Sequence, residues 1–123
     1  MATVYHEPVN ELSAQARDLH RALTSLIEEL EAIDWYNQRA DVTADAALKA
    51  ILLHNRNEEI EHASMALEWI RRQVPQFDQD LRTYLFTTGE ITAIEGAATG
   101  GGGEAKPAAS AGDLGIGSLK KGR

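Results

Sequence analysis

Apolar residues recur every three or four positions along two long stretches of this chain, and this spacing constrains the fold more than any other feature. The first stretch alternates steps of four and three: Leu12, Ala16, Leu19, Leu23, Leu26, Leu30 and Ile33. The second stretch, Ala44 to Gln73, carries Leu48, Leu52, Ala66 and Ile70 on one face. Such spacing is typical of long helices packed nearly antiparallel. The sequence therefore predicts two long amphipathic helices, and it contains no strand signal.

Capping and breaking residues set the expected helix ends. Because Pro8 suits a first helical turn, we expect the first helix to run from about Pro8 to Ala40. A short turn, Asp41 to Thr43, follows, with Thr43 as the N-cap of the second helix. Pro75 ends the second helix, because the residue before a proline disfavours helical geometry. A third, shorter helix is predicted from about Gln76 to Thr87.

Two long helices cannot enclose a core, because each buries only one face against the other. Pairing two such hairpins gives a four-helix bundle, the smallest common solution. We therefore predict an all-α fold: residues 1–96 form a two-helix antiparallel hairpin with a short third helix, and two copies dimerise into a bundle. A helical domain of this size is also near the lower limit for a single-chain core, which oligomerisation would relieve.

Composition excludes several classes of protein. The 123 residues contain no cysteine, which excludes thiolate zinc sites, iron–sulfur clusters and a disulfide-stapled domain. A formal net charge of −7 argues against nucleic-acid binding. No apolar run approaches the roughly 18 residues of a membrane span, and no signal peptide is visible at the N-terminus. We therefore expect a cytoplasmic protein with no membrane or nucleic-acid partner.

Glu59 and His62 interrupt the apolar stripe of the second helix with polar side chains three residues apart. Burying an unpaired carboxylate costs several kcal/mol, so something must neutralise it. Glu-x-x-His on inward-facing helices is the pattern of di-iron carboxylate bundles, which need two such motifs and two further glutamates. The chain has one convincing copy, which amounts to half a site. The alternative is a buried hydrogen-bonded pair that fixes helix register.

Glu29 lies at the border of the first helix's stripe, three residues after Leu26 and four before Ile33. Carboxylate oxygens and an imidazole nitrogen suit iron in both ferrous and ferric states. A two-fold axis would double Glu29, Glu59 and His62 into four glutamates and two histidines, the di-iron complement. Tyr36, seven residues from Glu29, could hydrogen-bond to a site carboxylate, although a lone tyrosine is more often packing.

Two further acidic clusters have helical spacing. His54, Glu58 and Glu61 lie on one line on the opposite side of the second helix, where a weak metal site competes with a solvated charged face. On the first helix, Glu28, Glu31 and Trp35 form a third group with helical spacing, on the face away from the stripe. Its acidic side chains toward Glu29 could attract cations electrostatically, and the alternative for Trp35 is that it closes a helix–helix interface.

The C-terminal part changes composition. Residues 97–112 are rich in Gly, Ala, Ser and Pro, which predicts a flexible linker. Apolar residues return in residues 113–123, and such a patch after a long tether predicts a docking peptide. The alternative is a disordered tail with chance apolar residues. The segment that would dock is Leu114, Gly115, Ile116, Gly117, Ser118 and Leu119.

Four segments resemble the encapsulated ferritins: residues 28–36 (EELEAIDWY), 54–62 (HNRNEEIEH), 67–72 (LEWIRR) and 82–86 (RTYLF). The terminal LGIGSL at residues 114–119 resembles the encapsulin-targeting peptide of such cargo. The resemblance implies a ferritin-like four-helix bundle whose di-iron ferroxidase centre forms between two subunits, with dimers in a decameric ring. It also implies an encapsulin shell protein as partner and a location inside an encapsulin nanocompartment in the cytoplasm.

The resemblance assigns roles to the clusters. It implies that Glu29, Glu59 and His62 are the ligands of the di-iron centre, with Tyr36 nearby. It implies that the line of Glu28, Glu31 and Trp35 is where metal enters. It also implies that the cluster of His54, Glu58 and Glu61 is an outer metal site. Iron is the expected cofactor, with Ca²⁺ or another divalent cation at the secondary sites.

The sequence therefore predicts a ferroxidase that oxidises Fe(II) with dioxygen and supplies a mineral store inside the shell. Two other hypotheses stay open at this point. One is a noncatalytic cargo or assembly protein that binds metal as structural glue across the dimer. The other is a different di-iron enzyme, such as a peroxidase-like oxidase.

Overall fold

The structure, a computed structural model, describes residues 4–100 as two units, residues 4–73 and residues 74–100. A 3-10 helix (Val9–Glu11) and two long helices, α1 (Ala14–Val42) and α2 (Ala46–Gln73), form the first unit. Two short helices, α3 (Pro75–Tyr84) and α4 (Ile91–Gly100), form the second. Residues 4–100 contain no strand, so the all-helical prediction is confirmed. The predicted domain of residues 1–96 spans both units.

The first helix begins later than predicted. Pro8 precedes the short 3-10 helix, and Leu12 then adopts an extended conformation that interrupts the helical path. Ser13 is the N-cap of α1, where its Oγ accepts a hydrogen bond from the Ala16 N–H at 3.0 Å. A serine cap satisfies a backbone donor that has no partner within the helix, so it is a stronger start signal than Pro8.

The turn between α1 and α2 also differs from the prediction. Thr43 is the C-cap of α1, and its N–H donates to the Arg39 carbonyl at 3.2 Å. Asp45 caps α2 instead, because its Oδ1 accepts from the Leu48 N–H at 2.9 Å. The assignment of Thr43 as N-cap was therefore wrong. Thr43 supports the cap indirectly, since its Oγ1 accepts from the Asp45 N–H at 3.3 Å.

The second unit contains a helix that the sequence did not predict. α3 has Pro75 in its first turn and ends at Tyr84, three residues before the predicted end at Thr87. Phe86 follows with φ of 63°, a left-handed conformation in which the right-handed helix cannot continue. α4 then runs through residues 97–100, which the sequence assigned to the linker. Residues 101–112 of that linker and the docking segment 113–123 lie outside the described residues.

The helical hairpin has almost no closed core. Within residues 4–100 the buried apolar side chains are Ala40, Ala63 and Ile70. Large apolar side chains such as Leu30, Ile51 and Met65 are 53%, 57% and 59% exposed. An antiparallel helix pair covers only one side of each stripe, so its other side stays open. No helix in the described range is both long and apolar enough to cross a membrane.

Candidate metal centre

The structure brings together three of the predicted site residues from two helices. Glu29 extends from the middle of α1, while Glu59 and His62 lie one turn apart on α2. His62 Nδ1 lies 3.3 Å from Glu59 Oε1 and 3.6 Å from Glu29 Oε1. One ligand atom from each of the three lies within 4.8 Å of the others. Two carboxylates and an imidazole therefore face one point, a donor set suited to iron.

The three side chains are partly exposed rather than buried. Those of Glu29, Glu59 and His62 are 26%, 24% and 42% exposed. The sequence placed Glu59 within a buried stripe, but one hairpin covers the cluster from one side only. Water therefore reaches part of the cluster, and the open side leaves room for donors from another chain.

The two carboxylates are coupled. The pKa of Glu29 is raised, chiefly because its carboxyl group hydrogen-bonds to Glu59, with desolvation adding to the effect. The pKa of Glu59 is lowered, chiefly by the same hydrogen bond with Glu29 and further by His62. Glu59 therefore loses its proton at lower pH than Glu29. A cation that binds here requires both groups in their deprotonated form, because metal-ligating carboxylates must be deprotonated.

Tyr36 is half-buried on α1, seven residues or about two helical turns beyond Glu29. Its ring lies beneath the Arg39 guanidinium, with 5.4 Å between the guanidinium carbon and the ring centroid. Within residues 4–100 the structure gives Tyr36 no hydrogen bond to the three-residue cluster. Its predicted contact with a site carboxylate is therefore not formed in the single chain.

The structure does not bring the other two clusters together as metal sites. His54 Nε2 is 3.9 Å from Glu58 Oε2, with the two side chains 71% and 52% exposed, and Glu61 points into solvent beside them. On α1, Glu28 is exposed, Glu31 is half-buried and the Trp35 side chain lies open to solvent. Among the described residues, only Glu29, Glu59 and His62 converge closely enough to hold an ion.

A polar contact between the same two helices was missed by sequence reasoning. Arg56 Nη1 on α2 donates a hydrogen bond to Asn37 Oδ1 on α1 at 2.9 Å. The signal was present in the sequence, because the four-and-three spacing of the first stripe continues from Ile33 to Asn37 and then to Ala40. A polar residue at a stripe position indicates a specific partner across the helix pair.

Known proteins resemble this chain along most of its length. The family described as EncFtn-like matches residues 4–88. An encapsulated ferritin-like protein from Rhodospirillum rubrum is 55% identical, over 94% of this chain and 86% of that protein. A ferritin-like protein from Thermotoga maritima is 53% identical, over 94% of this chain and 97% of that protein.

A solved structure shares the fold. The crystal structure of a protein from Nitrosomonas europaea superposes with a TM-score of 0.69 at 61% sequence identity. The match covers 71% of this chain and 96% of that one.

Proposed function

Because the chain belongs to the EncFtn-like family, we propose that it is a ferroxidase that oxidises Fe(II) to Fe(III) with dioxygen at a di-iron centre formed between two subunits. The observation that carries this proposal is the convergence of Glu29, Glu59 and His62. Iron-related chemistry of the ferritin-like kind follows from family membership. The oxidation step and the shared centre are the proposal.

The donor count supports a centre made by two chains. A di-iron carboxylate bundle uses four glutamates and two histidines, and one chain offers two glutamates and one histidine at this point. The open side of the cluster and the exposed apolar residues around it, such as Leu30 and Met65, require a covering surface. A second copy of the hairpin supplies both the missing donors and the apolar surface, and it completes a four-helix bundle.

The protein's contribution to the chemistry is to hold and neutralise the substrate. Each Fe(II) ion that is oxidised gives up one electron, and the two electrons from a pair of Fe(II) ions, with two protons from water, reduce one dioxygen to hydrogen peroxide. Glu59 and Glu29 provide anionic oxygens that favour the more highly charged Fe(III) product. Glu29 binds iron in its deprotonated form, and His62 Nδ1 already faces both carboxylates. The two-helix geometry orients these groups before the metal arrives.

We also propose that the chain is cargo of an encapsulin shell, where the oxidised iron is stored. One relative is itself named an encapsulated ferritin-like protein, and LGIGSL at residues 114–119 of this chain resembles an encapsulin-targeting peptide. In this proposal residues 113–123 bind the shell, and dimers assemble further into a decameric ring. Glu28, Glu31 and Trp35 line the path by which iron enters, and the cluster of His54, Glu58 and Glu61 forms an outer cation site.

The deciding experiment mixes the purified protein anaerobically with Fe(II) and then admits oxygen, while Fe(III) absorbance is followed. We expect oxidation much faster than in a protein-free control. Oxidation at the control rate would refute the ferroxidase proposal. If Fe(II) binding were then detected by anaerobic titration, the result would instead favour a noncatalytic metal-binding cargo protein.

A further inference from the structure

Two polar residues occupy positions of the apolar stripes that pack α1 against α2. On α1, Asn37 continues the stripe between Ile33 and Ala40, with the same steps of four and three residues. On α2, Arg56 lies four residues after Leu52 and three before Glu59, again in step with the stripe. In the hairpin Asn37 is exposed and Arg56 is half-buried, so the two residues lie at the edge of the helix pair.

The contact between these residues is specific. Arg56 Nη1 donates to Asn37 Oδ1 at 2.9 Å, while Arg56 Nε and Nη2 donate to Asn57 Oδ1 at 3.3 and 3.1 Å. Two neutral amides thus orient all three guanidinium nitrogens, and the structure gives Arg56 no carboxylate partner within residues 4–100. Asn57 lies on the same helix, so it fixes the arginine side chain that reaches across to α1.

Apolar stripes of this kind do not determine how far one helix slides along the other. Alanine and leucine positions repeat along both stripes, so a shift by one helical turn, about 5.4 Å, exchanges one set of apolar contacts for a similar set. A polar pair at stripe positions favours one register, because any shift breaks the hydrogen bond between Asn37 and Arg56. The same shift would separate Glu29 Oε1 from His62 Nδ1, which now lie 3.6 Å apart.

We propose that Asn37 and Arg56 lock the register of α1 against α2 and thereby position Glu29 opposite Glu59 and His62. Asn37 lies eight residues, about 12 Å along α1, from Glu29, and Arg56 lies three residues, about 4.5 Å along α2, from Glu59. Neither belongs to the three-residue cluster, so the pair acts by setting how the two helices are aligned. The register claim stands on the contact alone. Its consequence for metal binding rests on the proposed function.

The test replaces the polar pair by apolar residues of similar reach, N37L/R56L, which keeps the stripes filled. Q38L is the matched control, because the Gln38 amide contacts only Asp34 on its own helix. N37D is the rescue variant, since it keeps an oxygen acceptor for Arg56. The chain has no cysteine, so spin labels at Q15C and K49C report one distance between α1 and α2 without background labelling. Labelled chains are diluted with unlabelled chains to isolate this distance.

We expect the wild type, Q38L and N37D to give one narrow distance distribution. N37L/R56L should broaden it or add a population displaced by about 5 Å, one helical turn. In parallel, Co²⁺ titration should show affinity reduced about tenfold or more in N37L/R56L, the range found when residues that orient metal ligands are changed. Circular dichroism checks that the variant remains helical.

A narrow, unshifted distribution in N37L/R56L would overturn the register lock, even if Co²⁺ affinity fell. A displaced distribution with wild-type Co²⁺ affinity would overturn the positioning role. If the wild type itself bound no Co²⁺, the proposed metal centre would fail. The distance measurement would still decide whether Asn37 and Arg56 fix the register.

Discussion

Helix α2 carries two clusters of glutamate and histidine that look alike in sequence and differ in structure. In the first, Glu59 and His62 meet Glu29 of α1, with ligand atoms within 4.8 Å. In the second, His54 and Glu58 approach only to 3.9 Å, and no residue of α1 joins them. The difference lies in the neighbouring helix, which faces the first cluster and leaves the second exposed.

This comparison shows what turns a helical spacing into a site. Residues three or four apart on one helix share a face whether or not they have a function. In the first cluster a carboxylate from each helix meets the other, and the pKa of Glu29 is raised and the pKa of Glu59 lowered by their mutual hydrogen bond. A donor from a second helix therefore distinguishes an organised site from a charged surface.

The largest expected effect is a difference in the rate of Fe(II) oxidation between variants of His62 and His54, one histidine from each cluster. H62A should slow Fe(II) oxidation by about 100-fold or more, since it removes a ligand and not merely a group that orients one. H54A should slow it only at low iron concentration, where capture of metal limits the rate. H6A, which changes an exposed histidine with no assigned role, serves as control. Equal losses in H62A and H54A would remove the distinction between the clusters.

A smaller effect isolates the contribution of α1. E29Q keeps the size of the side chain but removes its charge, so we expect Co²⁺ affinity of the first cluster to fall about tenfold or more. Isothermal titration against the wild type and E11Q, an exposed acid elsewhere in the chain, measures the change. Unchanged affinity in E29Q would mean that Glu59 and His62 act without the second helix.

The coupled carboxylates predict a pH dependence. Because the pKa of Glu29 is raised, its carboxyl group in the metal-free protein loses its proton at higher pH than an ordinary glutamate. Metal affinity should therefore rise with pH until that proton is lost. The same shift stabilises the metal-free fold below the unfolded pKa, and this contribution is lost as pH rises through the folded pKa. Titrations across pH should lose this dependence in E29Q. A dependence that persisted there would assign the proton to another group.

The smallest expected effect is on the stability of the fold and comes from Glu68, which forms ion pairs with two arginines. Glu68 Oε2 lies 2.8 Å from both Arg71 and Arg72, and the hydrogen bonds from these residues, Arg71 first, lower its pKa to about 2. Its stabilising contribution is present above the unfolded pKa of about 4.3 and is lost as pH falls toward 2. Because the side chain is 42% exposed, screening limits the contribution to about 1 kcal/mol at most. Acid unfolding of E68Q against the wild type measures it, and a larger loss would indicate a buried role.

Much of the candidate centre could be predicted from the sequence. Glu29, Glu59 and His62 lie on or beside apolar stripes, and helical geometry alone brings such positions into one interface. The same stripes predicted α1 and α2. Helix boundaries were harder to predict. At the start of α2, Thr43 and Asp45 are both good N-cap residues, and only the backbone path decides between them.

Other features depended on packing that no local pattern encodes. α4 contains two glycines and two threonines, which have weak helix preference, and contact with α3 accompanies its helical form. The partial exposure of Glu59 follows from the open side of a two-helix unit. The link between Asn37 and Arg56 required the register of both helices, although their stripe positions signalled it.

The most direct test of the shared centre is an anaerobic Fe(II) titration of monomeric and dimeric fractions separated by size exclusion, followed by admission of oxygen to each. The account predicts that the dimer binds about one iron per chain, two per centre, and oxidises it rapidly, whereas the monomer binds weakly and reacts at the protein-free rate. A monomeric fraction that bound iron tightly and oxidised it as fast as the dimer would contradict a site divided between two chains.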